Sequence, residues 1–370
     1  MRFKHFIKAI PTIAFILTVT SCSSRHKESD PNVLFPDITI NDFVETKTPL
    51  SEIIGEYRLI PLETTDESLI GGLSNKIIKK DGHIFVGSNN EVVMFDEKGN
   101  FQSKLSRVGG GPEEYESISD FDIVPEYGEI WVSGNKNIIR YRYPSMEYTS
   151  RIPLDFFATK FKYLDNGRFI AMSPDEKVYK IVSNDGKILQ EYHDIDPANS
   201  VSSPVQFVRI NDCIATQLGE SNSAVCYIPE SDKFQTKEIL SPENDRIATT
   251  DVFRKYDELY GYFDSWEKVH QDYVTVGWFR KLEDQELLSV KHPGNDKMEQ
   301  AIVVNNGSYI KQYKVWPEDK SVIENDISDD PDTRFLITFG ACDSDDSFLF
   351  IVPSDEDDSN PTLLEVKKLK

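Results

Sequence analysis

Cysteine is scarce in this 370-residue chain: only Cys22, Cys213, Cys226 and Cys342 occur. With Cys22 set aside for the reason below, three remain, an odd number that leaves at least one thiol unpaired in an exported protein. None stands at CxxC spacing, which removes the usual signature of a structural zinc site. Basic residues are also in short supply, with 41 Lys and Arg against 63 Asp and Glu and a formal net charge of −22. A surface this acidic repels nucleic acid, whose binding needs clustered Lys and Arg to displace counterions. No GxSxG elbow is present. His83, His193, His270 and His292 lie near no Ser or Cys in a recognisable catalytic signature, so they read as surface or packed histidines.

What is present at the start is an export signal. Arg2, Lys4 and Lys8 precede an apolar run from about Ile10 to Val19, followed by small residues and Cys22. The run is too short and wrongly flanked to span a bilayer. "VTSC" resembles a bacterial lipobox, which implies that residues 1–21 are removed and that Cys22 carries the lipid and becomes the first residue of the mature chain. The membrane contact is then a lipid anchor and not a span. Ser23 does not fit the aspartate retention rule, which points to the outer membrane. Losing three cations and no acid takes the net charge from −22 to −25, so anionic headgroups repel the mature chain and the lipid must hold it.

Beyond a tether in residues 22–50, short alternating segments separated by turn residues give a β pattern, with little helical periodicity before residue 250. A strand–turn–strand–turn–strand unit recurs from residues 83, 129, 168 and 213, at intervals of 46, 39 and 45 residues. Each copy is preceded by one more strand: "LSNKIIKK", "ISDFDIV", "TKFKYLD" and "VQFVRIN". That is the span of a four-stranded propeller blade. "SRVGGGPEEY", residues 106–115, then falls between the last strand of one blade and the first of the next. A phosphate loop would open a helix and carry a Lys. Here Glu113 and Glu114 follow at once, so the stretch reads as a connector whose glycines permit angles closed to other residues.

The segments "YRLIPLETTDESLIGGLSNKIIKKDGHIFV" and "FDEKGNFQSKLSRVGGGPEEYESISDFDI" resemble the opening blade of the six-bladed β-propeller lipoproteins of Gram-negative bacteria, related in architecture to TolB-like and NHL-repeat propellers. The resemblance implies an all-β ring of six four-stranded antiparallel blades in residues 51–370, closed by an early strand. "EYRLIPLE", residues 56–63, is the expected closing strand, beside "SFLFIVPS" and "TLLEVKKL". Residues 241–335 depart from the rhythm and read as an enlarged fifth blade with a short helix, the sixth beginning at "FLITFGACDSDDSFLFIV". A seventh blade in that stretch is the alternative.

Some six-bladed propellers gather oxygen ligands for a metal in the axial channel. Asp120, Asp122, Asp165 and Asn211 are of the right type on inner strands, although no spacing singles them out, and they read as turn residues or strand ends. The acidic runs "ENDISDDPDT", "CDSDDSF" and "PSDEDDSN" lack the twelve-residue calcium loop and read as solvated turns. Tyr260, Tyr262, Trp266, Tyr273 and Trp278 make the densest aromatic group, either a binding platform or interblade core. Cys213 and Cys226 would oppose each other across a hairpin turning at Gly219 and Glu220, at a separation a little long for a relaxed disulfide, so the pair reads either as a bridge or as two packed free thiols. A turn over Gly219 to Asn222 would separate them.

The expected function is therefore a lipid-anchored binding module of the cell envelope, without a cofactor, whose partner is a small ligand, a glycan or an envelope protein. A metal-assisted hydrolase or lyase acting on a carbohydrate or lactone is the alternative, and a structural subunit of an envelope complex the next.

Overall fold

The computed structural model describes residues 30–40, 43–71, 73–194, 206–241, 246–294, 298–329, 333–336, 342–354 and 359–370. Cys22 and residues 1–21, the expected export signal, lie outside them. Six small, mainly antiparallel sheets stand in a ring, the arrangement of a six-bladed β-propeller. Blade 1 runs from the inner strand Leu73–Lys80 to the outer strand Phe101–Leu105. Blades 2, 3 and 4 start at Asp120–Val124, Lys160–Tyr163 and Val208–Ile210, and blade 5 at Thr275–Leu282. All five have four consecutive strands.

Alternation explains why they stack. In the blade 1 strand Glu91–Asp96, Val92 and Met94 turn toward Phe121, Ile123, Ile130 and Val132 of blade 2. Val93 and Phe95 turn the other way, toward Leu349, Ile351 and Leu363 of blade 6. Each side chain buried in this way contributes about 1.5–3 kcal/mol, and none would be buried without the neighbouring blade.

Blade 6 closes the ring with a strand from the far end of the chain. Tyr57–Pro61 pairs antiparallel with Thr362–Val366, Tyr57 opposite Val366 and Pro61 opposite Thr362. Thr362–Val366 pairs in turn with Phe348–Val352. The expected closure by residues 56–63 is thus observed. The innermost strand of blade 6 departs from the simple four-stranded plan: Cys342–Ser344 pairs in parallel with Ile77–Lys79 of blade 1, leaving three strands hydrogen-bonded in blade 6. A further parallel strand, Val33–Phe35, covers the outer edge of blade 4, an edge that would otherwise present unpaired amides.

The stretch between blades 4 and 5 holds two eleven-residue helices, Thr250–Tyr260 and Tyr262–Asp272, where the sequence suggested one short helix. Thr249 caps the first through the Val252 amide. Gly261, at a φ of 78°, makes the corner between them.

"SRVGGGPEEY" joins blade 1 to blade 2 as expected, but its glycines serve a different purpose from the one anticipated. None of Gly109, Gly110 and Gly111 has a left-handed φ. The loop folds around its own Glu114: the Gly111 amide donates to Glu114 Oε2 at 2.8 Å. A Cβ on Gly109 would lie 2.0 Å from that oxygen. The place an external anion would take is filled by a carboxylate of the chain.

Candidate functional site

The inner strands all run in one direction, so the disc has a lower face, where they begin and the blades connect, and an upper face, where they end. At the lower and middle levels of the channel the "DFDIV" aspartates act as staples. Asp120 Oδ2 accepts from the Phe161 amide at 2.8 Å, and Asp122 Oδ2 from the Tyr163 amide at 2.7 Å. Each carboxylate satisfies the free inner edge of the next blade, where an unpaired buried amide would cost about 1–3 kcal/mol. Asp120 Oδ1 also takes the Lys76 ammonium at 2.9 Å. Lys160 stands in the same region, its amine pushed down to about 8 by burial and by Lys76, with Asp120 opposing.

One level higher the channel is crossed. Lys162 of blade 3 reaches Asp343 of blade 6 at 2.5 Å, a bridge between strands on opposite sides of the six-membered ring. Burial alone would raise the Asp343 carboxyl, but Lys162 and Arg280 outweigh it and hold it far below the usual carboxylate range. Arg280 of blade 5 is fixed beside it, donating from Nε and Nη2 to the Cys342 carbonyl at 3.1 and 3.0 Å. Above the strut opens a cavity of about 580 Å³, inside the roughly 300–1,000 Å³ range of small-molecule sites. Hairpins of blades 3, 4, 5 and 6 form its walls, with Lys80 from blade 1. Tyr163, Leu164, Leu282 and Phe348 supply apolar surface.

Of the residues singled out in the sequence, Asn211 lines this mouth, at the blade 4 hairpin with a φ of 54°. Asp120 and Asp122 lie in the channel but are committed to backbone amides and flanked by Lys76 and Lys162. Asp165 sits at a hairpin, paired with Arg168 at 2.9 Å. Among the described residues no three His, Cys, Asp or Glu side chains are grouped as a metal would require. With ammonium groups already against the carboxylates, the donor set does not fit a hard divalent cation.

The aromatic group does not form one platform. Trp278 is buried in the core between blades 5 and 6, 6.2 Å from the Phe350 ring. Tyr260 is exposed, and Tyr273 half-buried, each packed against Tyr256 at 5.6 and 5.8 Å between ring centroids. Trp266 packs on His270 at 4.2 Å instead. The side chain of Tyr262 lies outside the described residues. All belong to the helical connector or the start of blade 5, so Tyr260, Trp266 and Tyr273 sit at the lower face, away from the cavity.

The cysteine hairpin adopts the wider turn. Ala215 stands opposite Cys226 and Ile214 opposite Tyr227, so Cys213 and Cys226 are offset by two residues and not directly opposed. Both are free, buried thiols. Their mutual hydrogen bond, with burial, pushes the Cys226 thiol up.

Lys162, Arg209, Arg280 and Asp343 were not anticipated as site residues. A lysine inside the inner-strand run "TKFKYLD" was the available signal for Lys162. Asp343 lay hidden in an acidic run read as a turn.

The sequence matches the model of a family described as a domain of unknown function, DUF4934, over residues 35–364. The chain belongs to the DUF4934 family. No curated protein matches it. Among solved structures, it is similar to a candidate exported protein from Bacteroides fragilis NCTC 9343, with 14% identity, 90% of this chain and 99% of that one covered, and a TM-score of 0.67. That likeness shows the shared fold. Two lower matches are the extracellular domain of a candidate one-component system from B. thetaiotaomicron (12% identity, 84% and 40% covered, TM-score 0.41) and a protein of unknown function from Bacteroides caccae (10%, 64% and 81%, 0.39). The DUF4934 match extends from the strand on the edge of blade 4 to the last strand of blade 6, the whole circuit of the ring.

Proposed function

We propose that this DUF4934 chain is an exported binding module, anchored to the cell envelope through lipidated Cys22, that holds a small ligand in the mouth at the upper face without transforming it. The observation that carries this reading is the cavity above the Lys162–Asp343 strut. It is walled by rigid strand ends, it has apolar and charged surface together, and its floor is a mutually neutralised ion pair. An acid or base for catalysis needs a pKa near the working pH. Lys162 and Asp343 are instead pushed apart by their pairing, Lys162 up and Asp343 down, with burial opposing both shifts. The kinship with TolB-like and NHL-repeat propellers stays at the level of architecture.

The test is a thermal-shift screen of the mature protein against saccharides and small acids, followed by mass spectrometry of the recovered ligand. A stabilising compound recovered unchanged, and no longer stabilising in the Tyr163→Ala variant, is the expected result. Accumulation of a converted product would overturn the non-enzymatic reading.

A further inference from the structure

The helical connector below blades 4 and 5 is built as an arm. Backbone bonds pin its feet together: the Ala248 amide donates to the Val274 carbonyl at 2.9 Å, and the Val274 amide to the Arg246 carbonyl at 2.7 Å. Phe253 and Val269 give the two helices a small core of their own, with Val252, Tyr256 and Tyr273 packed around it. On the side of the disc, Glu220 of the blade 4 hairpin lies 2.8 Å from His270 Nε2 and 3.6 Å from Lys291 Nζ of blade 5. The far end is different. Leu259, at 61%, is the most exposed large hydrophobic side chain among the described residues, and Tyr260 beside it is 48% exposed. Neither is part of the arm's core, and a Cβ on Gly261 at the corner would meet nothing within 4 Å. An apolar tip thus stands clear of the fold that carries it.

What lies opposite the tip follows from where the chain is moored. Val33 pairs with Glu238 and Phe35 with Leu240, at the lower end of the blade 4 outer strand, the strand that leads into the arm. From Cys22 to Asp30 there are eight residue steps, which span at most about 28 Å when fully extended. A lipid on Cys22 therefore keeps the rim of blade 4, and the arm beside it, close to the bilayer. We infer that Leu259 and Tyr260 dock into the surface of the membrane that holds the anchor, so that the lower face is turned to the lipid and the mouth opens away from it. The inference goes beyond the proposed ligand binding and rests on the lipid anchor of that reading. A Leu beside a Tyr, with the exposed edge of Trp266 behind them, suits the headgroup boundary, where rings with a polar handle collect. Glu258 and Asp264 flank the corner, and residues 250–272 carry six acids against three bases, so the contact favours a zwitterionic surface over an anionic one. Two side chains are too few to hold the protein alone, since even a single acyl chain binds marginally. They act at the high local concentration that the anchor supplies, and they set how the disc is oriented.

The mature lipidated protein, reconstituted in phosphatidylcholine vesicles with brominated acyl chains, tests this. An environment-sensitive fluorophore is attached through Leu259→Cys or, as a control on the upper face, through Glu283→Cys; both positions are exposed, and Cys213, Cys226 and Cys342 are buried. The probe at 259 should shift to the blue and lose at least half its emission to the bromines, while the probe at 283 behaves as in buffer. Adding Tyr260→Asp should cut the quenching at 259 at least twofold. Vesicles enriched in phosphatidylglycerol should also weaken it at low salt, with recovery as salt is raised. Equal quenching at the two positions, or none at either, overturns the docked arm and leaves the anchor and the mouth standing. A mature N-terminus that shows no acyl adduct by mass spectrometry sinks the anchor and this inference together. If the probe at 259 is already shielded in the soluble Cys22→Ala form, and that form sediments as a dimer, the tip meets a second copy of the chain and the lipid contact is refuted.

Discussion

Glu365 ties the closing strand to blade 1, and its substitution tests how the propeller is held. Its side chain is fully buried on the last strand of blade 6. It meets Arg58 of the closing strand and Lys79 of blade 1, the latter at 2.7 Å. One carboxylate thus joins the chain's early strand, its final strand and its first blade. Removing one member of a buried ion pair costs about 3–5 kcal/mol, because the remaining charge is stranded. Arg58 is 42% exposed, and Lys79 keeps Asp346 at 2.9 Å, which places Glu365→Gln near the lower figure, about 3 kcal/mol. At about 2.1 cal/mol/K per residue, a ring of roughly 310 residues melts about 5 °C lower for that loss. Burial alone would raise the Glu365 pKa, but Lys79 and Arg58 outweigh it and hold it below the usual value. The stabilisation is therefore complete above the unfolded value of about 4.3 and is lost as pH falls through the lower folded value. Urea unfolding of wild type and Glu365→Gln at a series of pH values reads both effects. A difference below about 0.5 kcal/mol at pH 7, or one that does not shrink on acidification, would refute the reasoning.

Cys22→Ala should move the protein from the membrane fraction to the soluble one, since an acidic surface has no second attachment signal; persistence in membranes after a high-salt wash would contradict the anchor. His292 is pushed down to about 4 by burial, with Glu299 opposing, and its ring contacts Phe43 at 5.0 Å. Stability linked to it is present above the unfolded value of about 6.5 and lost as pH falls toward 4. His292→Asn should flatten the pH dependence of the urea midpoint across that window, and an unchanged profile would show that the ring titrates freely.

Blades 1 to 4 were legible because each strand alternates over both faces and each hairpin announces itself with Asp, Asn or Gly at the turn. The closing strand was legible because "EYRLIPLE" has strand character but stands outside the repeat. The innermost strand of blade 6 was not. Cys342–Ser344 is three residues long, pairs in parallel with blade 1 and is followed by acidic residues that read as a turn. The Lys162–Asp343 strut joins residues 181 positions apart, and no local pattern encodes such a contact. The cysteine hairpin turned on a difference of two residues in turn length, which alternation leaves open because it preserves the face each side chain points to. The aromatic cluster mixed helix and strand residues, so composition alone could not separate Trp278 in the core from Tyr260 on the surface.

The strand Val33–Phe35 changes how the molecule bears force. A pull on the chain ahead of Asp30 reaches this strand before it reaches Tyr57–Pro61. Val33–Phe35 lies parallel to the outer strand of blade 4; its own Leu34 and Phe35, with Ile38, Leu50, Ile53 and Ile54 of the segment that follows, are buried, each side chain worth about 1.5–3 kcal/mol. The load is spread over blade 4 and the segment packed beneath it while the clasp of the ring stays slack. Tension applied ahead of Asp30 would have to peel this segment away before it could unzip the ring.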